Sequence, residues 1–247
     1  MDLREHREGG FRFLATSPEA PYSAGVVAME GYEIVHAGAR REVPVREGFA
    51  LIERHLREQG RPRTALCGVE LRGARPYTPE EWSAANGFNA GYRAVLKEWG
   101  LFVDGFPTVA RTNVVPVVEP PAEQVLHGFS YTVPASGDAE KGGETFVTSG
   151  APEALEMWAT EVNVGERLVS SLEAIGRAVS GLGRTWEEAT RVNVYVREGI
   201  STELAVAALR AIGGAARQGL HWYLTLTPLL GPYLECDARG VRREVVV

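Results

Sequence analysis

The chain has 247 residues, 45% of them hydrophobic and 23% charged, the balance of a globular protein with a substantial core rather than of a disordered or fibrous one. Its net charge of −6, with Lys and Arg scattered and no block of like charges, argues against a nucleic-acid surface. Two cysteines are too few for a disulfide framework, no apolar run approaches bilayer length, and the charged opening lacks the apolar core of a secretory signal, so a cytoplasmic, reduced protein without membrane partners is expected.

In chain order, residues 1–10 are polar and read as frayed. Residues 11–14 read as a short strand, and 21–29 as a second that turns at Glu30-Gly31 into a third, 32–38. Phe49, Ile52 and Leu56 recur at helical spacing and predict a helix over 45–59, stopped by Gly60-Arg61-Pro62. Residues 64–71 form the next strand. Thr78 offers a capping hydroxyl, Pro79 suits the first helical position, and Glu80 and Glu81 suit the first turn; the helix they open is expected to run to Trp99. A strand over 108–116 is broken by Pro120-Pro121 and followed by another over 124–131. After the glycine-rich stretch 136–143 the order repeats. A strand over 144–151 leads to a helix over 163–182 with Leu168, Leu172, Ile175 and Val179 at helical spacing. A strand over 188–196, an alanine-rich helix over 203–217, and strands over 221–227 and 233–238 complete the set. One order occurring twice predicts a duplicated α+β domain, each copy a mixed sheet with two helices on one face. Residues 1–134 and 135–247 are the expected domains, with the glycine-rich stretch as hinge.

The strand over 108–116 carries one arginine at its middle. Val109, Arg111, Asn113 and Val115 share one face of a pleated strand. A guanidinium stays charged, so a buried one requires an anion. An internal partner such as Glu70, Glu42 or Asp104 would make Arg111 structural. A substrate carboxylate would make it a two-pronged clamp, a geometry lysine does not offer. The histidines (His6, His36, His55, His127, His221) show no His-x-x-His pairing, and no phosphate loop or Gly-x-Ser-x-Gly element occurs, so neither metal nor cofactor is expected.

These residues resemble the RidA/YjgF family of enamine/imine deaminases. Pro21-Tyr22-Ser23, the strand ending Ala37-Gly38, Asn89-Ala90-Gly91-Tyr92 and Ala110-Arg111-Thr112 look like that family's opening tyrosine, glycine strand end, asparagine-x-x-tyrosine and alanine-arginine-serine/threonine. Thr148-Ser149-Gly150, Val192-Asn193-Val194-Tyr195 and Leu234-Glu235-Cys236 are similar in the second half. The resemblance covers residues 18–240. It implies two tandem chorismate-mutase-like domains, a homo-oligomer with a trimer preferred, and hydrolysis of a small enamino or imino acid, 2-aminomuconate-like compounds among them, to an oxo acid and ammonia. A binding protein that keeps the clamp without the chemistry is the alternative.

The sequence departs from that pattern at the proton-handling glutamate. In the first half His127 sits near its place; in the second Glu235 holds it, and His221 stands where the arginine belongs. Arg111, His127 and Glu235 are therefore the catalytic candidates, and Tyr22, His36, Gly38, Asn89, Tyr92 and Asn113 the candidates for lining the pocket. Each has a plainer alternative: a packed or solvent-facing histidine, a strand-end turn at Gly38, core tyrosines, helix packing at Asn89 and Tyr92. Glu235 is expected to face a pocket containing Arg111 only if unlike halves meet at a domain seam.

Overall fold

The computed structural model describes residues 1–136, 145–158, 161–199 and 201–247. The glycine-rich stretch expected to be the hinge lies, apart from Ser136, outside the described residues, as does Glu144.

The chain opens with β1 (Asp2–His6), β2 (Phe11–Ala15) and β3 (Gly25–Ala28), then β4 (Tyr32–Pro44), α1 (Val45–Glu58) and β5 (Leu66–Arg72). Two helices, α2 (Pro79–Ser83) and α3 (Phe88–Glu98), a small ribbon of β6 (Phe102–Val103) and β7 (Phe106–Pro107), and strands β8 (Ala110–Pro116) and β9 (Val125–Pro134) follow. The second half runs β10 (Phe146–Thr148), β11 (Ala151–Pro152), α4 (Val164–Gly181), β12 (Arg191–Val196), α5 (Thr202–Ala211), β13 (His221–Leu226), β14 (Leu234–Gly240) and β15 (Arg243–Val246). Apart from the β6–β7 ribbon, these strands form one mixed sheet, giving an α+β architecture.

Along the sheet the order is β10-β14-β12-β13, then β8-β5-β9-β4. Each second-half strand occupies the chain position of its first-half counterpart, so the sheet reads alike from both ends toward a seam. There β13 pairs antiparallel with β8 through Thr225 with Pro116 and Leu226 with Val115. Helices cover the outer face of each half. In the first, Phe49, Ile52 and Leu56 of α1 and Tyr92 and Leu96 of α3 pack on Val69, Leu71, Phe129 and Tyr131. In the second, Leu168, Leu172, Ile175 and Val179 of α4 pack on Val192, Val194, Cys236 and Ala238. Each Leu, Ile, Val or Phe among them contributes about 1.5–3 kcal/mol by leaving water. Both cysteines, Cys67 and Cys236, are free and buried. No helix among the described residues is long and apolar enough to cross a membrane.

Several local expectations are met by recognisable chemistry. Asn163 caps α4 by accepting from Glu166 N at 2.9 Å, and Thr78 and Glu81 form a reciprocal capping box at the start of α2. Others need correction. The helix expected to continue from Pro79 to Trp99 breaks: Ala84 is extended at φ −60°, ψ 132°, and a new helix starts after Gly87. The chain start is not frayed. β1 pairs with β2, and His6 is buried, its Nδ1 accepting from Gly9 N at 2.9 Å and its ring stacked on Phe11. The turn at Glu30-Gly31 forms, with Gly31 at φ +81°, but the strands it joins do not pair. Instead β3 lies beside β10 of the second half, while β15, unanticipated from the sequence, adds in parallel to β4 of the first. The two ends of the chain thus each extend the opposite half's sheet.

Candidate active site

The opening half of β8 is fixed by segments from both sides of the seam. Ser23 N donates to Val109 O at 2.9 Å, Arg111 N to Ser149 Oγ at 2.8 Å, and Gly150 N to Arg111 O at 3.1 Å. Because β3 lies against β10, the loop before it carries Tyr22 onto Arg111, with the guanidinium 5.0 Å from the ring centroid. From the helix layer come Trp82, Phe88 and Tyr92, whose ring centroids lie 5.4, 5.8 and 4.9 Å from the guanidinium carbon. Asn89, on the first turn of α3, accepts from Arg111 Nη1 at 2.9 Å and donates from Nδ2 to Trp82 O at 2.8 Å. The break between α2 and α3 lets Trp82 and Asn89 meet in this way.

Arg111 is 3% exposed, and its Nη2 has no hydrogen-bond partner among the described residues. The internal carboxylates proposed from sequence are elsewhere: Glu70 pairs with Arg239 at 2.8 Å, Asp104 with Arg4 at 3.4 Å, and Glu42 is exposed. A buried cation stacked between aromatic rings, with one prong committed to a neutral amide and the other idle, has the chemistry to receive an anion.

Across the seam stands Glu235, on β14 beside β11 and β12. Burial, with Asp237 adding to it, pushes its pKa up to about 8, against the opposing pull of Arg111, Arg72 and the backbone N–H of Asn113. Asp237, the next residue on that face, accepts from Thr112 Oγ1 and Asn193 Nδ2, each at 2.7 Å, and from Tyr195 OH at 3.0 Å. Gly150 leaves the room Glu235 needs, since a β-carbon there would overlap its carboxylate. Arg111, Asn113, Tyr22 and Trp82 from the first half and Gly150, Trp158, Pro228 and Glu235 from the second line one cavity of about 100 Å³.

The structure therefore brings together Tyr22, Asn89, Tyr92, Arg111, Asn113 and Glu235, and not the other three predicted residues. His127 is exposed; it is the extra residue of a β-bulge, skipped where Glu70 pairs with Gly128 and Leu71 with Leu126. His36 is buried on β4, between β9 and β15, with Nδ1 3.1 Å from Ser130 Oγ and Nε2 3.7 Å from Glu70. Gly38 pairs with Gly128 and Val246, away from Arg111. The glycine at the cavity is its counterpart in the second half, Gly150, and the repeated strand-end glycine was the signal for it. Trp82 and Trp158 carried no signal beyond being large and apolar.

The family described as 2-aminomuconate deaminase CnbZ matches residues 3–245. A 2-amino-5-chloromuconate deaminase of Comamonas testosteroni is 32% identical over 249 residues, covering 97% of this chain and 96% of that protein. Among solved structures, a chorismatase aligns over 88% of this chain and 77% of its own at 11% identity and a TM-score of 0.48. The YjgF gene product of E. coli aligns over 41% of this chain and 83% of its own at 18% identity and a TM-score of 0.32. By a family match that runs nearly end to end and a relative aligned over almost its whole length, the chain belongs to the 2-aminomuconate deaminase CnbZ family.

Proposed function

We propose that the seam cavity hydrolyses an enamino acid of the 2-aminomuconate type to the corresponding 2-oxo acid and ammonia. The carrying observation is the meeting, in one cavity, of a buried arginine with an idle prong and a buried glutamate that holds its proton at neutral pH. Arg111 Nη2 takes the carboxylate next to the amino-bearing carbon, which fixes that carbon beside Glu235. The Glu235 carboxyl gives its proton to the enamine carbon, leaving an iminium. The carboxylate so formed takes a proton from water as the water oxygen bonds to the iminium carbon. Glu235 then protonates the amine of the carbinolamine, the C–N bond breaks, and the hydroxyl proton returns to Glu235 as the carbonyl forms. One water enters, one ammonia leaves, and the glutamate ends as it began.

The rest of the molecule fits this reading. Residues 1–134 and 135–247 serve as two copies of one unit that share a single site, the first supplying the clamp and the second the proton. Val117, Val118 and Leu224, exposed by 42, 67 and 45%, cluster where β8 leaves β13, with Val117 N donating to Leu224 O. We assign this apolar surface to association between chains, a trimer being the preferred form. Ammonia release from 2-aminomuconate tests the activity: wild type turns it over, and Arg111→Ala lowers kcat/KM by about a hundredfold or more, the worth of a charge-assisted hydrogen-bonded clamp. An Arg111→Ala enzyme as active as wild type would overturn the assignment.

A further inference from the structure

β8 presents two donors that have no acceptor among the described residues. One is Arg111 Nη2; the other is Nδ2 of Asn113, two residues along the same face. Asn113 is 3% exposed and lines the cavity with Arg111 and Glu235. Its amide is held in one sense, because Gln124 Nε2 donates to Asn113 Oδ1 at 2.6 Å and Tyr77 OH donates to Gln124 Oε1 at 3.4 Å. An amide gripped by its oxygen directs its NH2 the opposite way. A buried donor without an acceptor is destabilising, and one beside a cavity is completed by what enters.

Alternate residues of a strand share one face with their backbones about 6.6 Å apart, so two idle donors rising from that face into one cavity suit a ligand with acceptors at both ends of a short chain. The walls between and around them, Trp82, Trp158, Pro228 and Leu229, are flat or apolar, as a conjugated carbon chain requires. We propose that Asn113 is the second anchor of the site, its Nδ2 donating to the far carboxylate of an extended unsaturated dicarboxylate whose near carboxylate is held by Arg111. The inference rests on the deaminase reading and adds to it the residue that holds the far end of the substrate. A neutral amide also serves here better than a second guanidinium, which would draw the proton off Glu235.

Binding of muconate and of sorbate, the same dienoic chain with a methyl group in place of the far carboxylate, separates the claims. By calorimetry, wild type binds muconate about tenfold more tightly than sorbate, the worth of one hydrogen bond to a charged group. Asn113→Leu loses that preference with sorbate affinity unchanged, which also shows that the variant is folded. Gln124→Leu, which frees the amide to turn, loses part of the preference. Retention of the wild-type preference in Asn113→Leu, or equal weakening of both ligands, overturns the role of Asn113 and leaves Arg111 as sole anchor. A wild type that binds neither acid overturns the carboxylate-binding reading of the cavity, and the second anchor with it.

Discussion

Glu235 keeps its proton because of where it is buried. Burial and Asp237 raise its pKa from 4.5 to about 8, and the nearby arginines oppose this without cancelling it. Two consequences follow from that one group. In the proposed mechanism it is the acid that starts the reaction, so wild-type kcat/KM should fall above about pH 8, and Glu235→Gln should cut ammonia release by roughly 10²–10⁴-fold. For stability the sign is opposite to that of an ion-paired carboxylate. Between pH 4.5 and about 8 the folded chain holds a proton that the unfolded chain has lost, so this residue makes stability decline as pH rises through that window. Glu235→Gln lacks the decline. Its melting temperature should match wild type near pH 4.5 and exceed it increasingly up to pH 8; parallel melting curves across that range would contradict the assignment. At this scale Arg111 was legible in the sequence, being a lone cation in an apolar strand. Glu235 was legible as a candidate, but its meeting with Arg111 only as a conditional one, because it depends on a pairing of β8 with β13 that no local pattern encodes. His127 misled for a related reason: alternation along a strand predicts facing only where the register is unbroken, and a bulge falls on that residue.

Helices and the paired central strands were the most readable elements, since α1 and α4 declare themselves by apolar spacing and α4 also by its Asn163 cap. The break between α2 and α3 was missed because apolar spacing continues across it, whereas Ala84 and Gly87 turn the backbone. Both ends of the chain were misjudged or overlooked because β1 and β15 are rich in charge and have weak strand patterns. Their strand form comes from the edge each finds on the sheet. For β15 that docking is partly ionic: Arg243 Nη2 lies 2.7 Å from Glu33 Oε1, and the Glu33 side chain is 5% exposed. Arg243→Ala should therefore destabilise the fold by about 1–2 kcal/mol, less than a fully buried pair because the arginine is itself half exposed. Turnover below the melting transition should be kept, since β15 lies along β4 rather than at the cavity. Thermal unfolding reads the first effect; an unchanged transition would mean that the Glu33–Arg243 pair adds nothing to the hold that the backbone and the Glu244 pairs have on the strand.

Taken whole, the molecule is a duplicated α+β arrangement whose cavity is lined from both halves. The first half brings Arg111 to that cavity and the second brings Glu235, and the exchanged ends tie the two sheets together. Repetition was legible in the order of elements, but not the seam, because the same repeated pattern is equally compatible with like halves meeting between chains. The central claim is that one chain completes one site. It is tested by co-expressing Arg111→Ala and Glu235→Gln chains and measuring ammonia release from 2-aminomuconate by the mixed protein. A site contained within each chain predicts that the mixture stays as inactive as either variant alone; recovery toward the roughly one-quarter of wild-type activity that random pairing would give a site shared between chains would contradict it.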